Sequence, residues 1–169
     1  MNNDSVGAKN IAFMGLLFAL TLVLSFAEYN ILPPLPINGV KLGLSNIVIM
    51  YCVVFESKGS AFYLGVLKSI FVASTRGVIA GAISLFGGML SIIVMSIAYK
   101  FQKENQSYAF ISILGGVSHN IGQIICASLI LKSTKVFYYV PVLIVAGFFV
   151  GFATATILKI LVPYIKKIK

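Results

Sequence analysis

Residues 108–131 read YAFISILGGVSHNIGQIICASLIL, an apolar stretch with a short polar group near its centre. A helix needs about 20 mostly apolar residues to cross the hydrocarbon core of a bilayer. This stretch reaches that length without an acidic residue, a lysine or an arginine. Two further stretches, Gly77–Tyr99 and Val136 to about Val162, are also long enough. Together the three stretches predict a chain that folds in a membrane.

The composition of the whole chain supports this prediction. Of its 169 residues 59% are hydrophobic and only 10% are charged, and the mean hydropathy is +1.02. Soluble domains carry about 25% charged residues, and a small soluble domain cannot bury so much apolar surface. The length fits one domain, residues 1–169. A net charge of +9 would favour a nucleic-acid partner in a soluble chain, but here we interpret it as cationic segments that contact membrane lipid.

Three shorter apolar stretches complete the predicted membrane domain: Ile11–Ala27, Leu42–Phe55 and Ser60–Thr75. The last two are short for a span, so we expect flanking polar residues or a locally thinner bilayer to accommodate them. Ser25-Phe26-Ala27 has the small-x-small pattern of a signal-peptide cleavage site, but the weak charge before it favours a retained helix. The predicted fold is an all-α integral membrane protein, a bundle of six transmembrane helices.

The basic residues predict the orientation of this bundle. With six spans, eight basic residues lie on one side and four on the other, and Lys68 inside a span completes the thirteen. The positive-inside rule places the side with eight basic residues, and with it both termini, on the cytoplasmic face of a bacterial cell membrane. The cytoplasmic residues are Lys9, Lys58, Lys100, Lys103, Lys159, Lys166, Lys167 and Lys169, and the outer residues are Lys41, Arg76, Lys132 and Lys135.

The longest predicted outer segment, Glu28–Val40, contains Pro33, Pro34 and Pro36 and is unusually apolar. Prolines stiffen a segment and remove backbone donors. We favour a segment that caps the bundle over one that rests at the membrane interface.

Small residues about one helical turn apart on one face mark places where helices approach closely, since close backbone contact drives helix association in lipid. In the fourth and sixth helices we expect them to pack inside the bundle. For the first helix, a second interpretation is that these residues form a face that docks a partner protein. The residues are Ser84, Gly88 and Ser91 in the fourth helix, Gly147, Gly151 and Ala155 in the sixth, and Ala8, Ala12, Gly15 and Ala19 in the first.

Polar side chains at membrane depth are costly, so they usually face the bundle interior and mark function. Lys68 lies midway along the third helix, where it cannot easily reach the interface. His119 and Gln123 are four apart and therefore share one face of the fifth helix. We expect a substrate-binding group to form in the outer half of the bundle from Lys41, Asn46, Lys68, Arg76, His119, Asn120 and Gln123.

The predicted group is cationic, because Lys41, Lys68 and Arg76 face Glu28 alone. A cationic and partly dry pocket favours an anionic ligand such as a phosphate, a diphosphate or a carboxylate. Amide, hydroxyl and imidazole groups would orient that ligand by hydrogen bonds.

Other interpretations stay open for single residues. The alternative for Lys41 and Arg76 is that their long side chains extend to the outer membrane interface and contact no ligand. Glu28 is a possible salt-bridge partner of Lys41, and Asn46 a possible interhelical hydrogen-bonding residue. His119 alone would be interpreted as a structural histidine.

The residue patterns of common catalytic sites are missing from the sequence. The four acidic residues include no DDxxD motif for Mg²⁺ and a prenyl diphosphate, and there is no GxxxxGK[ST] loop, no Ser/His/Asp set and no HExxH. Cys52 and Cys126 lie in apolar stretches without CxxC spacing, so we expect buried, inert thiols. We expect no enzymatic activity, metal or cofactor in this chain, and an energy-coupled function would need another subunit to hydrolyse ATP.

Two stretches resemble the signature segments of a bacterial membrane family known as heptaprenyl diphosphate synthase component I, or Gx transporter. They are Lys41–Val48, KLGLSNIV, and Ser118–Gln123, SHNIGQ. Gly87–Ser91 and Tyr138–Leu143 support the resemblance, which covers Ile11 to about Tyr164. The missing aspartate motif does not fit the enzyme name.

The architecture is similar instead to the substrate-binding S-components of energy-coupling factor (ECF) transporters. This resemblance implies six helices with both termini inside, and a ligand site under the loop that joins the first two helices. It also implies docking on a shared scaffold, with ATPase subunits, through a small-residue motif in the first helix, where Ala8 and Ala12 are a loose match.

Three functions follow as hypotheses. The first is a substrate-binding subunit of an uptake transporter for a small anionic or vitamin-like molecule. The second is a membrane accessory protein of isoprenoid metabolism that holds a prenyl diphosphate for a soluble synthase. The third is a membrane subunit of flavin or quinone electron transfer, for which the sequence shows no cofactor motif.

Overall fold

A computed structural model describes residues 3–31, 43–101 and 107–168. These residues form six α-helices and one 3-10 helix, and they contain no β-strand. The helices are α1 (Asn3–Ile31), α2 (Asn46–Phe55), α3 (Lys58–Arg76), α4 (Val78–Phe101), α5 (Tyr108–Leu131) and α6 (Val140–Ile168), and the 3-10 helix is Thr134–Tyr139. The predicted all-α bundle of six helices is confirmed.

Within the described ranges, four stretches are long and apolar enough to cross a membrane by length and composition: Lys9–Glu28, Val78–Phe101, Tyr108–Leu131 and Thr134–Tyr164. The protein is therefore a helical membrane protein. The structure does not determine which side of the membrane holds the termini, so the predicted orientation stays a prediction. The predicted Pro33–Pro34 cap and Lys41 lie outside the described residues.

Helix α3 has the polarity that a lipid-facing helix requires, with apolar side chains outside and polar ones inside. Phe62, Tyr63 and Ile70 are exposed on its outer face, whereas Lys68 and Ser69 are buried. Its first turn is capped by Ser57, whose Oγ accepts a hydrogen bond from the Ser60 N–H at 3.0 Å. Its end is set by Gly77, whose φ of +94° turns the chain into α4.

Helix α2 lies at the centre of the bundle, in contact with each of the other five α-helices. Nine of its ten residues are buried. Ten residues rise about 15 Å, half the thickness of the hydrocarbon core. Protein rather than lipid therefore surrounds this helix, which explains how so short an apolar helix is accommodated.

The predicted start of the second helix at Leu42 is wrong, since α2 begins at Asn46. Gly43 has a φ of +95°, and this conformation does not continue a right-handed helix. The sixth helix also begins later than the predicted Val136, because the 3-10 helix Thr134–Tyr139 precedes it.

Helices α4, α5 and α6 pack through small residues, as predicted. Ser84, Gly88 and Ser91 of α4 are buried, and Ser91 Oγ donates a hydrogen bond to the Gly115 carbonyl of α5 at 2.9 Å. Gly147, Gly151 and Ala155 of α6 are buried as well. A Cβ at Gly151 would lie 2.6 Å from Ile113 Cα, so only glycine permits this approach to α5.

Helix α1 is packed differently, since its contacts among the described helices are with α2 and α3. Its small residues Ala12, Gly15 and Ala19 are exposed, and nothing lies within 4 Å of a Cβ built at Gly15. This face is therefore not used for packing among the described residues. The side chain of Ala8 lies outside the described part of the chain.

Candidate functional site

The first turn of α2 begins at a backbone corner that requires glycine. Gly43 has a φ of +95°, and its carbonyl accepts a hydrogen bond from the Asn46 N–H at 2.9 Å. A Cβ at Gly43 would lie 3.0 Å from both Asn46 Nδ2 and His119 Cδ2. The KLGLSN stretch thus brings the start of α2 directly against the SHNIGQ stretch of α5.

Lys68 reaches this corner from α3. Its side chain is only 5% exposed, and its Nζ donates a hydrogen bond to Asn46 Oδ1 at 3.4 Å. Asn46 is equally buried, and its Nδ2 has no hydrogen-bond partner among the described residues. The asparagine therefore uses its acceptor for the lysine and leaves its donor group unused.

His119 and Gln123 form the α5 side of the site. Gln123 Nε2 lies 2.9 Å from His119 Nε2. Because an amide nitrogen only donates, the imidazole accepts at Nε2 and carries its proton on Nδ1. The imidazole also interacts with the Gly87 backbone, and its Nδ1 makes no hydrogen bond of good geometry with any described group.

Gly87 of α4 provides the space for this pair. A Cβ at Gly87 would lie 2.7 Å from Gln123 Cγ and 3.1 Å from His119 Cε1. Gly87, the first residue of the Gly87–Ser91 stretch, therefore allows α4 to approach the polar group of α5 closely.

Glu28, near the end of α1, completes the site. Its side chain is only 4% exposed, and its Oε1 accepts a hydrogen bond from the Gly43 N–H at 2.5 Å. The carboxylate also acts electrostatically on Lys68. We call Glu28, Gly43, Asn46, Lys68, His119 and Gln123 the corner cluster, to which α1, α2, α3 and α5 all contribute.

Two predicted site residues make other contacts. Asn120 Nδ2 donates to the Leu143 carbonyl of α6 at 2.7 Å, so this side chain joins two helices. Arg76 Nη2 donates to the Ser25 carbonyl at 2.8 Å and so joins α3 to α1. Asn46, Lys68, His119 and Gln123 come together as predicted, while Lys41 lies outside the described residues. Their role in ligand binding stays a prediction.

A narrow cavity of about 10 Å³ begins at Gly43 and Asn46 and runs between α2, α4, α5 and α6. Ser112 and Thr154 contribute polar groups to its wall, and Met50 and Met95 contribute apolar ones. This volume has room for about one water molecule. The cavity itself is therefore too small for a vitamin-sized molecule, which needs a few hundred cubic ångströms.

The contact between Glu28 and Gly43 was not predicted from the sequence, which offered Lys41 as the possible partner of Glu28. The available signal was the glycine in KLGLSN, one residue inside the predicted stretch Leu42–Phe55. Glycine adopts a positive φ more readily than other residues, and such a residue interrupts a right-handed helix. The two cysteines are free and buried, as predicted.

Residues 17–161 match the sequence profile of a known family, heptaprenyl diphosphate synthase component I. The chain belongs to this family. Both signature stretches lie inside the matched range and meet in the corner cluster. Ala8, Ala12 and Gly15 precede that range. No curated protein and no solved structure matches the chain significantly.

Proposed function

We propose that this family member is the substrate-binding subunit of an ECF-type uptake transporter for a small anionic or vitamin-like molecule. The observation that carries the proposal is the burial of Lys68 against Asn46, within a helix whose outer face is apolar. A charged side chain buried inside a membrane helix bundle is costly and is typically retained for a ligand or an ion path.

The donors of the corner cluster support an anionic ligand. Lys68 Nζ, Asn46 Nδ2 and the His119 ring all donate, and Asn46 Nδ2 lacks an acceptor among the described residues. Buried donors without acceptors are costly, and the oxygens of a phosphate or carboxylate would satisfy them.

The exposed face of α1 supports docking on a transmembrane scaffold. Ala12, Gly15 and Ala19 leave room for the backbone of another helix to approach closely. In this proposal the chain itself catalyses no reaction, and ATPase subunits on the scaffold supply the energy.

The family's description supports a second candidate, a membrane component that works with a prenyl diphosphate synthase. The corner cluster would then hold the diphosphate, while the apolar faces of the bundle and the surrounding lipid take up the polyprenyl chain.

Co-expression with an ECF scaffold and its ATPase subunits tests the first candidate. We expect the scaffold and the ATPase subunits to co-purify with the wild-type chain. We expect Ala19→Leu to abolish co-purification, because the larger side chain blocks close helix approach. Ala153→Leu is the matched control, since Ala153 is exposed on α6. Failure of the wild-type chain to co-purify would contradict the transporter proposal. Co-purification with a soluble prenyl diphosphate synthase instead would favour the second candidate.

A further inference from the structure

The first turn of α2 has the features of an anion site. The positive end of the helix dipole points toward the corner. The N–H groups of Asn46 and Ile47 are already bonded to the carbonyls of Gly43 and Leu44, so side chains rather than these N–H groups supply the unused polar groups. Ser45 Oγ and Asn46 Nδ2 lie there without hydrogen-bond partners among the described residues. The two side chains are only 1% and 5% exposed. Buried polar groups without partners at a helix N-terminus indicate that this position binds a polar group.

A carboxylate of the chain itself already lies beside this position, at the Gly43 N–H. Glu28 Oε1 accepts the Gly43 N–H at 2.5 Å and acts electrostatically on Lys68. The Gly43 N–H thus holds this buried carboxylate by a hydrogen bond, and the charge of Lys68 acts on it through space. These are the same groups that an anionic ligand would use in the proposed function.

We propose that Glu28 is a resident carboxylate that an incoming phosphate or carboxylate group displaces from the α2 N-terminus. This inference rests on the anion specificity of the proposed function and deepens it. Displacement leaves the Gly43 N–H, at the start of the small cavity, to the incoming anion. It also breaks the Glu28–Gly43 hydrogen bond that ties α1 to α2. Binding is therefore a competition between two anions for one site.

Binding of inorganic phosphate to the purified protein in detergent tests the competition. Glu28→Gln removes the competing charge but keeps an oxygen that can accept the Gly43 N–H. We expect it to raise phosphate affinity about tenfold or more, because one like charge is removed from a buried site. The double variant with Lys68→Met should lose that gain. Glu56→Gln, which changes the acidic residue at the other end of α2, is the matched control and should leave the affinity unchanged.

An unchanged or lower phosphate affinity in a folded Glu28→Gln variant would overturn the inference. If that variant does not fold, carbodiimide labelling of Glu28 in the wild-type protein gives a second measurement. Phosphate should increase the labelling because the displaced carboxylate becomes accessible, and constant labelling would overturn the inference. Neither assay needs a scaffold or an ATPase. A failed co-purification would therefore count against the transporter proposal alone, and a failed phosphate test against the displacement alone.

Discussion

Helices α1 and α6 each contain 29 residues and each carry small residues four positions apart, yet they use them in opposite ways. Gly147 and Gly151 of α6 are buried against α5. Ala12, Gly15 and Ala19 of α1 face away from the described helices. Small-residue spacing therefore indicates that a helix can be approached closely, but it does not tell which partner approaches.

The difference also separates two parts of the molecule. Helices α4, α5 and α6 form a closely packed block in which glycines touch backbone atoms of neighbouring helices. Helix α1 contacts α2 and α3, and its polar links to the rest of the described chain include Glu28 to Gly43 and Ser25 to Arg76. The block therefore positions the α5 part of the corner cluster, whereas Glu28 is positioned by α1 and its contacts with α2 and α3.

The largest expected effect comes from filling the buried contact of α6. Gly151→Leu should destabilise the fold by about 3 kcal/mol or more, because even its Cβ would lie 2.6 Å from Ile113 Cα. Thermal unfolding in detergent checks this. Gly88→Ala is the control, since nothing lies within 4 Å of a Cβ there. A Gly151→Leu protein as stable as wild type would mean that the α5–α6 packing is wrong.

A second test separates glycines needed for conformation from those needed for contact. Gly43 and Gly77 have nearly the same φ, +95° and +94°. Gly77→Ala meets no neighbouring atom and should cost about 1–2 kcal/mol for the backbone alone. Gly43→Ala should cost more, because it also crowds Asn46 and His119 at 3.0 Å. Equal melting temperatures for the two variants would argue against the contact between α2 and α5.

A smaller effect is expected from a single hydrogen bond within the packed block. Ser91→Ala removes the 2.9 Å bond to the Gly115 carbonyl and should cost about 0.6 kcal/mol, the average for such bonds between membrane helices. Ser74→Ala is the control, because Ser74 Oγ bonds only within its own exposed turn of α3. If both variants melt at the same temperature, the α4–α5 bond adds nothing to stability.

The smallest effect on stability is expected on the exposed face of α1. Ala19→Leu should change the free energy of unfolding by less than about 0.5 kcal/mol, because its side chain points away from the described helices. Thermal unfolding of the isolated protein checks this. A large loss of stability would show that this face packs within the bundle and is not free for a scaffold.

Much of this architecture was predictable from the sequence, because the bilayer sets a length for each helix. The bounds of α5 matched the apolar stretch from Tyr108 to Leu131 at both ends. The start of α2 was not predictable from hydropathy, since Leu42 and Leu44 are as apolar as the helix itself. The positive φ of Gly43, a local backbone property, decides that start.

The candidate site was predictable in its residue types but only partly in its contacts. Lys68, His119 and Gln123 were recognised because polar groups are rare at membrane depth. Asn120 is likewise a polar residue in an apolar stretch, but its side chain contacts α6. The position of one residue along a helix does not show which neighbouring helix its side chain contacts. Glu28 was recognised as a charge near the site, whereas its contact with Gly43 depends on how α1 and α2 meet in three dimensions.

Native mass spectrometry of the protein, gently purified from its own membrane, tests the central claim that the corner cluster binds an anionic ligand. We expect a small phosphorylated or carboxylate compound to co-purify with the wild-type chain and with Lys58→Ala, whose lysine is exposed at the start of α3. The compound should be absent from Lys68→Ala. If Lys68→Ala retains the compound as fully as the wild type, the corner cluster is not its binding site.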